Sequence, residues 1–101
     1  MSQQSIKRLE MGYTPAEFRK TLNGQFIKNT PYTLKEISEQ EWIISIDTAS
    51  VNIIISEAAP RKIAMLCLPV LNTRFELSNM SASEESHFMK IFFRYFHKGG
   101  G

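Results

Sequence analysis

A single cysteine, Cys67, stands in a chain of 101 residues. It has no partner for an intramolecular disulfide, and a small secreted domain would carry several, so a cytoplasmic setting is expected. Glycine is also sparse: Gly12, Gly24 and Gly99 to Gly101 are all there are. None follows a strand and opens a helix, the context a phosphate cradle requires, and nucleotide binding has no support. No five like charges occur in a row, so no polyelectrolyte tail needs explaining. The longest apolar run, Ile63 to Leu71, is far short of a membrane span and contains Pro69. The opening MSQQSIKRLEMG lacks the apolar core of a signal peptide.

Charge excludes another class. Twelve Lys and Arg against ten Asp and Glu leave a net charge of +2, far from the basic balance of a dedicated nucleic-acid binder. A composition of 43% hydrophobic and 22% charged residues is that of one globular domain that buries a core. Seven Phe among so few residues imply a core filled by rings.

Residues 1–12 are polar, with Ile6, Leu9 and Met11 as their only apolar anchors, and read as a mobile tail before a single domain at 13–98. Thr14-Pro15-Ala16-Glu17 is a capping box with proline at the first helical position, and Tyr13 and Phe18 hold the two positions of a hydrophobic staple. Phe18 and Leu22 form the buried stripe, and Asn23-Gly24 supplies a left-handed stop. From Tyr32 the pattern turns to strands. Residues 32–37 suit an edge; Trp42, Ile44 and Ile46 share one face, and so do Val51, Ile53 and Ile55. Residues 57–61 read as a turn. A further strand from Arg61 to Leu77 changes its apolar face at Pro69, which calls for a bulge or a break there. Short polar links make the strands antiparallel neighbours.

The last element is a long helix. Ser81 and Glu84 make a second capping box, His97 and Lys98 suit the negative end, and Gly99 stops it. Phe92 lies at the centre of its apolar arc, with Phe88, Met89, Tyr95 and Phe96 beside it and Ile91 and Phe93 on opposite flanks. The expected fold is α+β: a short N-terminal helix, a four- or five-stranded antiparallel meander sheet, and a long C-terminal helix packed on the sheet.

Catalytic signatures are lacking. His87, His97 and Cys67 show no CxxC, HxxxH or HExxH spacing, so no metal site is expected. Cys67 sits in an apolar run where a thiol is inert, no GxSxG or Ser-x-x-Lys context exists, and no cofactor is implied. The acid pairs Glu84-Glu85 and Glu39-x-Glu41 fall at a helix start or turn, where carboxylates are solvated.

Four functional readings remain open, the last of them an enzyme whose site the sequence does not reveal. Apolar groups left over from the main face, Ile43, Ile54, Ile63, Met65 and Cys67, are either covered by the first helix or the tail, or the protein self-associates through that face or through the Phe93 flank. Lys90 and Arg94 project from the outer face of the last helix and could meet an acidic partner. The partner surface to test is therefore Ile54, Met65, Phe93, Lys90 and Arg94, in a non-catalytic interaction module, first of all a homodimer. A second reading is a binder of a small apolar molecule or lipid in an aromatic-lined gap between the last helix and the sheet. In the third, Gly99-Gly100-Gly101 resembles the C-terminal diglycine of the ubiquitin-like sulfur carriers. Those proteins present it on a flexible strand tail, whereas a helix precedes it here, and a frayed, flexible glycine tail at 99–101 is the expectation.

Overall fold

The computed structural model describes residues 4–96. Gln4–Met11 (β1), Thr33–Ser38 (β2), Glu41–Ile46 (β3), Ala49–Ile63 (β4) and Leu66–Ser78 (β5) form one antiparallel sheet in the order β1-β5-β4-β3-β2. Pro15–Thr21 (α1) and Ala82–Tyr95 (α2) are the two α-helices. The α+β class with an antiparallel sheet and a helix near each end is as expected, and β2 to β5 do form a meander. What the sequence pattern did not disclose is β1. The polar stretch expected as a mobile tail is, from Gln4 onward, a strand on the outer edge of β5, paired from Gln4–Ser78 to Met11–Leu71. Within it only Met11 is buried, with Ser5 and Leu9 half-buried, too faint an apolar alternation to read as a strand.

The β1 position explains the connection that follows it. With β1 at one edge of the sheet and β2 at the other, residues 12–32 must cross the whole helical face. Five strands at the usual spacing put about 19 Å between the outer two. A helical path from Pro15 to Asn29 reaches about 22 Å, enough to cross. The expected stop at Asn23-Gly24 does not occur: α1 runs on as a π turn, Leu22–Phe26, and a 3-10 turn, Ile27–Asn29. Phe18, Leu22 and Phe26 recur every four residues and all are fully buried. On a regular helix each such step drifts about 40° off a shared face, and the wider π turn takes up the drift.

Both helix starts carry the caps their sequences call for. The Thr14 and Ser81 hydroxyls accept from the N–H groups of Glu17 and Glu84, whose carboxylates accept in return from the N–H groups of Thr14 and Ser81. Tyr13 and Phe18 meet edge-on at 6.5 Å, completing the staple. At its other end α2 stops at Tyr95, with Phe96 as C-cap, rather than at Gly99. Phe96 leaves helical geometry there and stacks 4.2 Å from Phe92. His97, Lys98 and the three terminal glycines lie outside the described residues.

The layers are two. Trp42, Ile44, Val51, Ile53, Ile55, Leu71, Phe75 and Leu77 face the helices and are essentially inaccessible to solvent. Phe18, Phe26, Phe88 and Phe92 close over them. The first helix docks against the second, through Phe18–Phe96 at 4.9 Å and Phe26–Phe92 at 6.0 Å, on the same side of the sheet. It therefore does not cover the opposite face, one of the two alternatives the sequence left open.

Candidate functional site

The uncovered face is built by the residues that alternate with the core. Register places Arg8, Arg74, Ile54 and Glu41 in one row across β1, β5, β4 and β3, and Ile6, Glu76, Asn52, Ile43 and Lys35 in the next, which reaches β2. Its charged groups are mostly engaged locally. Arg74 pairs with Glu76 at 2.6 Å, Arg61 with Glu10 at 3.1 Å, and the Asn52 amide donates to Glu41 at 3.1 Å. Between β1, β5 and β4 the twisted face holds a concavity of about 530 Å³, lined by Arg8, Glu10, Ile54, Ser56, Asn72 and Arg74.

Farther along, β4 and β5 outrun their neighbours. Pairing of β1 ends at Met11–Leu71 and that of β3 at Glu41–Ile54, so residues 58–70 form ladder pairs only with one another, as a two-stranded arm linked to β1 by the Arg61–Glu10 ion pair. It contributes to the elongated shape, 49 × 25 × 24 Å. The sequence reading is corrected here in two respects. Residues 57–61 do not turn the chain; β4 continues to Ile63, and the two-residue turn is Ala64-Met65. The bulge expected at Pro69 exists, but its extra residue is on β4: register shifts between Ala58 and Arg61, opposite Pro69, and β5 runs unbroken. Pro60 cannot donate a ladder hydrogen bond, which suits it to a bulge.

The shift puts Arg61 and Ile63 beside Leu68 and Leu66, on the same side as the open face, and Lys62 beside Cys67 on the other. Ile63 is 52% exposed, Leu66 63%, Leu68 42% and Met65 99%. The apolar run from Ile63 to Leu71 reads as core in sequence because alternation cannot say how far two paired strands outrun the sheet. Cys67 is exposed, not buried in a strand core.

The five residues singled out from sequence do not form one surface. Ile54 is half-buried in the middle of the open face, and Met65 is at the arm tip. Phe93, 44% exposed, with Lys90 and Arg94, lies on the helical layer across the molecule. Missed entirely were Arg8 and Glu10, since β1 was not recognised, and Leu66 and Leu68. The seam between α2 and the sheet, the expected ligand gap, is filled by rings: Phe75 meets Phe92 edge-on at 4.9 Å, and Phe88 stacks on Phe92 at 6.2 Å.

Among the described residues no three His, Cys, Asp or Glu gather as a metal site, and no helix is long and apolar enough to cross a membrane. Comparison with protein-family models, with curated proteins and with solved structures finds no match.

Proposed function

We propose that the protein is a non-catalytic interaction module that self-associates through the β4–β5 arm. The observation that carries this reading is the solvent exposure of Ile63, Met65, Leu66 and Leu68 on one free hairpin. A two-stranded ribbon alone is marginally stable in water, and clustered apolar side chains at its tip gain most by being covered. A second copy is the occupant that the chemistry favours. The arm's apolar side carries Arg61, already paired with Glu10, and Lys62 points to the other side, so two arms can meet about a two-fold axis without burying an unpaired charge. The filled helix–sheet seam speaks against a lipid binder working through that gap.

Hydrogen–deuterium exchange of the full chain tests the reading. Backbone amides of residues 61–68 are expected to gain protection as concentration rises from low to high micromolar, while those of β3 stay constant. Rapid, concentration-independent exchange throughout the arm would overturn self-association there.

A further inference from the structure

Arg8 and Arg74 oppose each other directly in the β1–β5 ladder, with side chains on the open face. Side chains so placed stand about 5 Å apart at Cβ, and like charges in that position weaken a sheet. The pair is thus not explained by folding stability. Only Arg74 of the two is neutralised by a neighbour, Glu76. Glu10 is held by Arg61, Glu76 by Arg74, and Glu41 by the Asn52 amide, whereas the Arg8 guanidinium has no hydrogen bond or acidic partner among the described residues.

Two more donors converge on the same space. The Ser56 hydroxyl and the Asn72 amide line the concavity beside the two arginines, and neither side chain hydrogen-bonds within the described residues. At about 530 Å³ the concavity has the size of a small-molecule site, with half-buried Ile54 as its apolar floor. From there the ladder passes through Asn72–Ser56 to Val70–Ala58 and Leu68–Arg61, becoming more aliphatic toward the arm. Four residues of strand, from Arg74 to Val70, span about 13 Å.

We propose that this rung binds a carboxylate carried on an aliphatic chain, the carboxylate forked by Arg8 with Arg74, Ser56 and Asn72 around it, and the chain over Ile54 toward Val70. A planar guanidinium matches a carboxylate in bidentate geometry. The charge balance selects the ligand class. Arg8, Arg61, Arg74 and Lys35 face Glu10, Glu41 and Glu76 on this side, leaving one uncompensated positive charge, which suits a monoanion better than a phosphate. This proposal does not rest on self-association, and the site meets the arm only at Val70.

The probe is octanoate, kept below its micelle concentration and added to the full chain at fixed ionic strength, with backbone amide NMR shifts as readout. Saturable shifts are expected at residues 8, 54, 56, 72 and 74, with acetate, inorganic phosphate and 1-octanol each at least tenfold weaker. Arg8→Gln should weaken octanoate at least fivefold while the remaining spectrum stays folded, because that side chain has no hydrogen bond or ion pair among the described residues. Diffuse or unsaturable shifts would overturn the proposal. So would phosphate or octanol binding as tightly as octanoate, or an Arg8→Gln protein that binds unchanged.

Discussion

Phe92 is fully buried, stacks on Phe96, meets Phe75 edge-on and touches Phe18 and Phe26 of the crossing segment, so it joins the last helix, the crossing segment and β5. Truncating such a ring leaves a cavity its neighbours cannot close, and Phe92→Ala is expected to cost about 3–5 kcal/mol, read as a fall in denaturant midpoint. A loss below about 1 kcal/mol would mean that the ring is not central to the core. Thr14 acts through one oxygen, which accepts from the Glu17 N–H at 3.1 Å. Thr14→Ala should lose about 1 kcal/mol and Thr14→Ser almost nothing; equal losses would contradict a hydroxyl cap. Tyr32 stacks on Phe26 at 5.8 Å, and burial, with a smaller push from the negative charge of Glu84, raises its phenol above the ordinary 10.0. The folded state then holds this proton more tightly than the unfolded chain. Its contribution is complete below the ordinary value and is lost as pH rises through the raised one. Tyr32→Phe keeps the ring, and its stability should therefore fall less steeply than that of the native protein above pH of about 10. Parallel alkaline unfolding curves for the two would refute the assignment.

At the scale of elements, what was legible in the sequence was what short-range chemistry writes there. Both capping boxes, the staple and the faces of β3 and of the first half of β4 follow from residues within a few positions of one another. The unread parts depend on contacts distant in sequence. Gln4–Met11 becomes a strand because β5, some seventy residues on, offers an edge, and Asn23-Gly24 fails to stop a helix because the chain must still cross the sheet and bury Phe26. The candidate surface suffered most, since the exposure of Leu66 and Leu68 follows from β1 and β3 ending early. The arm has one strained point: Ala64 turns the tip with φ of 54°, a region costly for a residue with Cβ. Ala64→Gly should relieve about 1 kcal/mol locally and slow amide exchange at Ile63 and Leu66 in dilute protein. Faster exchange in that variant would mean that the turn is not strained as drawn.

On the scale of the whole molecule, a two-layer body with rings sealed between helices and sheet carries a second sheet face and a projecting arm that the described residues leave open. Folding is served by the first, and association is assigned to the second. The arm can therefore be changed without touching the core, which makes the proposal separable from stability. Leu66 is 63% exposed and is not part of the buried core, so Leu66→Asp should leave circular dichroism and thermal midpoint essentially unchanged. At an arm-to-arm contact the same carboxylate would have to be desolvated without a partner, which is costly. The deciding measurement is the light-scattering mass of the native chain and of Leu66→Asp at high micromolar concentration. The account expects about twice the 11.6 kDa chain mass for the native protein and the single-chain mass for a folded Leu66→Asp. A native protein that already scatters as one chain, or a Leu66→Asp protein that keeps the doubled mass, would contradict it.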